Sequence, residues 1–267
     1  MSQIKILING AGGKMGKAMI TGILAEQDME IVAAIDLKFT GTDIGLLAGL
    51  EPNGVLIEED LTKAIKTDKP DVMLDFTNPQ AIMKNLQIAV PMKVAVVVGT
   101  TGLSAHDLEE VESLTNNHHT PVFVASNFAL GAVLLMRFAA EAASYFPNVE
   151  IIELHHDQKL DAPSGTALTT LEMIAKQREI FAQGAPNEFE KIPGSRGGDF
   201  QGARVHSVRL PGYVASQEVL FGGTGQVLSL RHDAMNRECF LPGVLLALRK
   251  IKELQGLVVG LEKIMNN

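Results

Sequence analysis

The sequence contains few of the residues that form disulfides, aromatic clusters or membrane segments. Among its 267 residues there is one cysteine and no tryptophan, and aromatic residues make up 5%. A single cysteine, Cys239, excludes an intramolecular disulfide and a cysteine-rich metal site, and it suits a reducing, cytoplasmic location. No uncharged apolar run reaches about 18 residues, so we expect no membrane span and no membrane partner. The start, MSQIKILINGAGG, is polar by residue 9 and predicts no signal peptide.

A basic stripe is also missing, and the formal net charge is −8. We therefore expect no nucleic-acid partner. Hydrophobic residues make up 46% and charged residues 20%, proportions that exclude wholesale disorder. With so few aromatic residues, the core must consist mainly of valine, isoleucine, leucine, alanine and methionine. The length allows one large domain or two modest ones.

The first half of the chain alternates short β-branched runs with helical patterns, which is typical of a parallel sheet with crossover helices. The near-continuous hydrophobicity of the runs predicts strands that are buried on both faces. The predicted strands are IKILING (4–10), EIVAAID (30–36), VMLDFT (72–77), VAVVVGT (94–100) and PVFVASN (121–127). Helical patterns lie between them at about 14–26, 61–67, 79–90 and 104–116, the last with Ser104 as its predicted N-cap.

The pattern changes near residue 128. A long helix at 130–146, a strand at 149–156 and a helix at 164–177 are followed by a glycine-rich and charged loop at 183–202. Three further strand-like runs, ARVHSVRL, ASQEVLFGG and GQVLSLRHD, are separated by turns suited to antiparallel neighbours.

These patterns predict an α/β protein with two domains. Residues 1–128 form a Rossmann-like, dinucleotide-binding domain with a parallel sheet. Residues 129–237 form an α+β domain with an open, mostly antiparallel sheet. We expect the closing helix, 238–267, to pack back on the first domain.

The turn GAGGKMG (10–16) follows the first predicted strand and opens a helix. Its glycines allow a tight turn and close backbone approach, and the helix N-terminus can face a pyrophosphate. Asp36 ends the second strand twenty residues past Gly16, where an acid contacts the adenosine ribose. A dinucleotide site is therefore favoured over an ordinary strand-to-helix turn. Lys38 could instead contact a 2′-phosphate, so NADH and NADPH both remain open.

Three other strand ends carry small or hydroxyl residues: DFTNP (75–79), GTTG (99–102) and ASNF (125–128). In an open parallel sheet, ligands bind beyond the carboxyl ends of the strands. Any one of these segments could be only a turn, but together they indicate one crevice for the ribose and nicotinamide.

The stretch ELHHDQKLDAPSGTA (153–167) has three interpretations. A metal site is disfavoured, because His155 and His156 would point to opposite faces of a strand, and no metal is expected. A polar loop with Asp161 or Ser164 capping the next helix is the second interpretation.

The third interpretation is catalytic. Amides at Gly165 and Thr166 open a helix and can bind a carboxylate, and Lys159 and a histidine can transfer protons. Beside a nicotinamide site, this combination suggests reduction of a small carboxylated C=N or C=C substrate.

The six motifs GAGGKMG, Asp36, DFTNP, GTTG, SNF and the fifteen-residue stretch together resemble the 4-hydroxy-tetrahydrodipicolinate reductase (dihydrodipicolinate reductase) family of the lysine and diaminopimelate pathway. The resemblance runs nearly end to end. It implies NADH or NADPH as hydride donor, and a small dicarboxylate substrate that binds to the domain at 129–237. It also implies that this domain serves oligomerisation, with its sheet building a homotetramer. The implied reaction is hydride transfer to the ring after loss of the 4-hydroxyl as water, then protonation by Lys159, to give tetrahydrodipicolinate.

The resemblance also implies a role for each matching position. His155 is the catalytic histidine and Lys159 the proton donor, while His156, Gly165 and Thr166 bind substrate. The cofactor residues are Gly10, Ala11, Gly12, Gly13, Lys14, Met15, Asp36, Gly99, Thr100, Thr101, Ala125, Ser126, Asn127 and Phe128, with Phe76 and Thr77 nearby.

Some features leave alternatives open. Leu37 stands where some family members carry arginine, which weakens the argument for NADPH. The 183–202 segment is longer than in several relatives and could be a lid or an oligomer contact. Arg237 could frame the substrate pocket or be a surface residue. The alternatives are another Rossmann-type dehydrogenase of a carboxylated substrate and a dinucleotide-sensing regulator, which would be expected to lose His155 or Lys159.

Overall fold

A computed structural model describes residues 3–180 and 183–265. The chain divides into two compact units, and each has its own sheet and its own hydrophobic core. The first unit consists of Met1–Phe128 together with Arg237–Asn267, and the second unit is Ala129–Asn236.

The strands are β1 Ile4–Asn9, β2 Met29–Ile35, β3 Ile57–Glu58, β4 Val72–Asp75, β5 Ala95–Val98, β6 Val122–Val124, β7 Asn148–His155, β8 Gly198–Phe200, β9 Ala203–Arg209, β10 Ala215–Gly223, β11 Gln226–Ala234 and β12 Leu257–Val259. The α-helices are α1 Lys14–Leu24, α2 Ile44–Leu47, α3 Leu61–Asp68, α4 Pro79–Ala89, α5 Ala105–His118, α6 Leu130–Ala143, α7 Gly165–Ala175 and α8 Leu241–Lys250. Short 3₁₀ helices occupy Arg237–Phe240, Ile251–Glu253 and Leu261–Lys263.

The first unit is a seven-stranded parallel sheet in the order β12-β6-β5-β4-β1-β2-β3. Every residue of β4 and β5 is buried, as the continuous apolar runs predict for central parallel strands. The predicted Rossmann-like parallel sheet and its five strands are confirmed. The strands end earlier than predicted, because the last residues of each run leave the sheet and form loops at its carboxyl edge.

Four helices of the first unit, α2 to α5, begin after a residue whose side chain caps them. Ser104 accepts a hydrogen bond from the Asp107 amide, and Asp107 accepts one in return, which completes a capping box at α5. The predicted cap is therefore confirmed. At α4, Asn78 caps the helix and Pro79 occupies its first turn.

The prediction for the closing segment needs a correction. Only Leu241–Lys250 is α-helical, and Leu257–Val259 forms the edge strand β12, parallel to β6. Gly256 and Gly260 have φ of +62° and +103°, and these left-handed residues turn the chain into and out of the strand. Helix α8 contacts α1 within the first unit.

The second unit is a five-stranded mixed sheet in the order β11-β10-β7-β9-β8, and α6 and α7 pack on one face. Its pairings are antiparallel except for β7 with β9, so the predicted mostly antiparallel sheet is confirmed. The hairpin from β10 to β11 follows the prediction.

Two details of this sheet differ from the prediction. Strands β9 and β10 are not neighbours, because β7 lies between them and pairs with both. The 183–202 segment contains a short strand, β8, which the sequence does not reveal because only its pairing with β9 defines it. Strand β7 ends at His155, so His156 lies outside the strand and is exposed.

Candidate functional site

The glycine-rich turn of the first unit lies directly after β1. Gly10 has a φ of +85°, and a Cβ atom there would lie 2.7 Å from the Phe76 carbonyl oxygen. The amides of Gly10 and Ala11 donate to the Ile35 carbonyl over 2.9 and 3.0 Å, which ties the turn to the end of β2. Only glycine therefore fits at position 10.

Helix α1 begins immediately after this turn. Gly13 is its N-cap and offers no side-chain cap, so the first amides of the helix face outward. A Cβ at Gly16 would lie 2.3 Å from the Gly10 carbonyl oxygen, which shows how closely the helix approaches the turn. The result is a positive helix end bounded by bare backbone, suited to a pyrophosphate.

Asp36 stands beside this turn. Its Oδ2 accepts from the Gly12 amide and its Oδ1 from the Lys38 amide, each over 2.9 Å. Two backbone amides therefore fix the carboxylate at the mouth of the turn.

A cleft of about 990 Å³ opens over these residues, and a smaller one of about 210 Å³ shares Phe76, Thr77 and Asn78 with it. The larger volume is enough for a drug-sized ligand. The predicted cofactor residues in the larger cleft are Gly10, Gly12, Gly13, Lys14 and Asp36. Those in the smaller one are Met15, Gly99, Thr100 and Thr101.

Other predicted cofactor residues lie outside these two clefts. Ala11 and Ala125 are buried, Ser126 is exposed and Asn127 is half-buried. Phe128 is 3% exposed, and its ring meets that of Phe76 edge to face at 6.1 Å. Phe128 thus supports the Phe76 side chain from behind. Leu37 and Lys38 are exposed and line the larger cleft.

Asp75, at the end of β4, organises the floor of the cleft and is fully buried. Its Oδ1 accepts from the Thr77 amide and from the hydroxyls of Thr77 and Thr100, at 3.0, 2.7 and 2.8 Å. Its Oδ2 accepts from the side-chain amides of Asn9 and Asn85, at 3.1 and 2.8 Å. Because each hydroxyl has one hydrogen and gives it to Asp75, only lone pairs of Thr77 and Thr100 remain for a ligand.

In the second unit, the predicted catalytic histidine belongs to a buried ionic cluster. His155 Nδ1 lies 2.5 Å from Glu153 Oε2, and Arg209 binds both oxygens of Glu153 at 2.9 and 2.8 Å. Burial by itself would raise the pKa of Glu153. Hydrogen bonds from His155, Arg209 and Ser207 outweigh it and lower the pKa to about 2.

The loop after β7 carries Lys159. Lys159 Nζ lies 2.7 and 2.9 Å from the two oxygens of Asp161, and this hydrogen bond lowers the pKa of Asp161. Arg209 Nη2 donates to the Asp161 carbonyl over 2.6 Å, and the Lys159 amide donates to the His156 carbonyl over 3.2 Å. The loop is thus held by one arginine and by its own backbone.

Helix α7 begins at the end of this loop. Of the two predicted alternatives, Ser164 is the cap: it accepts from the Ala167 amide over 3.2 Å. The Ser164 amide in turn donates to Glu153 Oε1 over 3.3 Å. Gly165 is exposed with open space around its α-carbon, at the positive end of the helix. Glu153 therefore connects His155, the Lys159 loop and the start of α7.

The residues at the centre of these clusters, Asp75, Glu153 and Arg209, were given no role of their own in the sequence analysis. Glu153 is two residues before His155 on a strand, so the alternation of side chains places both on one face. Arg209 gives no such signal, because the parallel pairing of β7 with β9 brings it there from far along the chain.

Two further residues named in the sequence analysis, Cys239 and Arg237, lie in the first unit. Cys239 is half-buried in a 3₁₀ helix, and burial raises the pKa of its thiol, which disfavours a nucleophilic thiolate. Arg237 is exposed at the start of the same helix. Across the part of the chain that the structure describes, every helix is too short or too polar to cross a membrane.

Comparison with known proteins gives consistent matches over nearly the whole chain. Residues 4–128 match the family model "Dihydrodipicolinate reductase, N-terminus", and residues 131–265 match "Dihydrodipicolinate reductase, C-terminus". The 4-hydroxy-tetrahydrodipicolinate reductase of Desulfitobacterium hafniense is 53% identical over 99% of this chain and 100% of its own. That of Moorella thermoacetica is 50% identical over 99% of both chains.

Solved structures give the same result. A dipicolinate-bound dihydrodipicolinate reductase from Paenisporosarcina sp. TG-14 is 44% identical, with a TM-score of 0.89 over 98% of this chain and 100% of its own. An amine dehydrogenase from Mycobacterium smegmatis, at 14% identity and a TM-score of 0.69 over 96% of this chain and 95% of its own, shares the fold alone. The two family models and the identity over the full length confirm the resemblance in the sequence, and the chain belongs to the dihydrodipicolinate reductase family.

Proposed function

We propose that this protein reduces 4-hydroxy-tetrahydrodipicolinate to tetrahydrodipicolinate and water, with NADH or NADPH as reductant, in the diaminopimelate route of lysine biosynthesis. The observation that carries the proposal is the connected cluster of His155, the Lys159 loop and the start of α7, in a chain that matches this family over nearly all of its residues. The dipicolinate-bound relative supports a planar dicarboxylate as the kind of ligand.

The first unit holds the nicotinamide cofactor, which supplies the hydride when it is bound. The bare turn before α1 fits a pyrophosphate, because a side chain at Gly10 or Gly16 would collide with backbone. Asp36 is oriented by two amides, and its carboxylate can accept from ribose hydroxyls. A 2′-phosphate would meet that negative charge, so Asp36 supports NADH, whereas Lys38 at the cleft rim supports NADPH.

The second unit holds the substrate. Lys159 supplies a positive charge for the substrate and then a proton to the reduced ring, and Asp161 holds its ammonium in place. The amides of Gly165 and Thr166 at the start of α7, together with His156, bind a carboxylate. His155 presents the ring nitrogen that faces away from Glu153 to the substrate.

We also propose that the protein is a homotetramer of the cytoplasm. Strand β11 is an edge of the second sheet, and its outward side chains are exposed, so a second copy can pack there. Light scattering of the purified protein would measure the mass directly, and a monomer would contradict this assignment.

The experiment that tests the function is oxidation of NADH or NADPH in the presence of the condensation product of pyruvate and aspartate semialdehyde. We expect NADH or NADPH to be oxidised only when the condensation product is present, and tetrahydrodipicolinate to be formed. If the protein acted on an unrelated amino or oxo acid but not on the condensation product, it would be another Rossmann-type dehydrogenase.

A further inference from the structure

Glu153 is a fully buried carboxylate whose two oxygens are both engaged. Oε2 contacts His155 Nδ1 at 2.5 Å and Arg209 Nη1 at 2.9 Å. Oε1 accepts from Arg209 Nη2 at 2.8 Å and from the Ser164 amide at 3.3 Å. One side chain thus joins the end of β7, the end of β9 and the first turn of α7.

The sheet explains why these groups meet. Residues two apart on a strand point to the same face, so Glu153 and His155 share the face that packs against α7. Arg209 is the register neighbour of His155 on the parallel strand β9. Its guanidinium forms the two-pronged contact with a carboxylate that arginine makes best.

We propose that Glu153 is a positioning residue for the reductase reaction: it fixes the tautomer of His155 and, through Arg209, holds the Lys159 loop against the start of α7. The inference rests on the proposed function for its catalytic consequence. The tautomer and the loop anchorage are properties of the protein alone.

The tautomer follows from hydrogen-bond chemistry. An ionised carboxylate can only accept hydrogen bonds, so the nitrogen of His155 that faces Glu153 must carry a hydrogen. In the neutral ring the lone pair is then on Nε2, which points away from Glu153. Arginine keeps its proton at any accessible pH, so Arg209 stabilises the ionised form of Glu153 throughout.

The loop anchorage follows from the second bond of the same guanidinium. Arg209 Nη2, which binds Glu153, also donates to the carbonyl of Asp161, two residues after Lys159. Asp161 in turn binds the Lys159 ammonium. A displaced Glu153 would therefore release Arg209, the loop and the ammonium together.

The same strand provides a matched control on its opposite face. Glu150 also binds one histidine and one arginine, His206 at 2.9 Å and Arg196 at 2.8 Å. Its partners come from β9 and from the 183–197 segment, and neither belongs to the Lys159 loop. Glu150 therefore reproduces the charges of the Glu153 cluster without its connection to the catalytic groups.

The test compares Glu153→Gln with Glu150→Gln in the full-length protein. Nitrogen-15 spectra of the histidine rings, recorded above their titration range, report the tautomer, and a His155→Asn variant identifies the His155 signals. We expect the Nδ1–H tautomer at His155 in the parent and in Glu150→Gln, and a loss of that preference in Glu153→Gln. We expect kcat to fall by about 10- to 100-fold in Glu153→Gln only, the range observed when the carboxylate partner of a metal-bound histidine is removed.

A second variant, Arg209→Lys, separates the two roles, because lysine keeps the charge but cannot bridge Glu153 and the Asp161 carbonyl. It should retain the Nδ1–H tautomer and raise the substrate KM, while cofactor binding stays as in the parent. An Nε2–H tautomer in the parent protein, or parental kcat and tautomer in Glu153→Gln, would overturn the proposal. If Glu153→Gln fails to fold, the spectrum of the parent protein still tests the tautomer of His155, and the substrate KM of Arg209→Lys still tests the anchorage of the loop. If the parent protein had no reductase activity, the proposed function would be rejected. The tautomer of His155 would still be tested by the spectra, which do not depend on activity.

Discussion

The hydroxyl of Thr100 donates to the carboxylate of Asp75 over 2.8 Å, joining the ends of two neighbouring strands at the smaller cleft. Asp75 accepts the hydroxyl hydrogens of Thr77 and Thr100, so these two hydroxyls can offer only lone pairs to a ligand in the cleft. The amide of nicotinamide and the hydroxyls of ribose both carry donors that suit such acceptors.

Replacing Asp75 with asparagine should therefore weaken cofactor binding, because the new NH₂ group faces donors it cannot pair with. We expect Kd for NADH to rise about tenfold, which corresponds to about 1.4 kcal/mol, roughly one hydrogen bond. Titration of the nicotinamide fluorescence measures it. Asp71→Asn is the control: Asp71 precedes the opposite end of β4 and binds the Lys5 amide and Lys252. Equal Kd values in the two variants would exclude a role for Asp75 in the cleft.

Lys159→Ala should fold and bind cofactor normally but lose most turnover, since in the proposed reaction the Lys159 ammonium supplies the proton. The expected fall in kcat is about 10²- to 10⁴-fold, the range for a general acid. Steady-state rates with NADH measure it, beside Lys176→Ala, which removes a lysine from the C-cap of α7. A Lys159→Ala protein that keeps near-parental kcat would remove this residue from its assigned role.

Asp36→Ala should weaken binding of NADH more than binding of NADPH, because in the proposed cofactor site the carboxylate accepts from ribose hydroxyls and repels a 2′-phosphate. Lys38→Ala should have the opposite bias, which makes the two variants controls for each other. The ratio of the two Kd values in each variant is the measurement. If both cofactors weaken equally in Asp36→Ala, the carboxylate makes no ribose contact.

Glu153 should also contribute to the acid sensitivity of the fold. Its pKa is lowered from 4.5 to about 2, so its contribution is fully present above pH 4.5 and is lost as the pH falls towards 2. A shift of this size corresponds to about 3 kcal/mol in the free energy of unfolding. Urea unfolding across this range should show a steeper loss of stability in the parent than in Glu153→Gln. Parallel curves would show that Glu153 has the same pKa in the folded and unfolded protein.

The sequence predicts much of the first unit, because buried parallel strands are continuous apolar runs and the turn before α1 has its own glycine spacing. It does not reveal β3, β8 and β12, which have two or three residues each and are defined only by their pairing. The same limit applies to the sites. Asp36 follows from spacing, whereas the contact of Arg209 with Glu153 depends on strands separated by more than forty residues.

The chain leaves the first unit at residue 128 and re-enters it at 237. Its parallel sheet therefore lacks an edge strand until Leu257–Val259 has been synthesised and has paired with β6. The second unit is continuous in sequence and is complete earlier. Synthesis from the N-terminus normally lets domains fold in chain order. Here the unit that begins first is finished last, and a protein truncated before residue 257 would present β6 as an uncovered sheet edge, a site for aggregation.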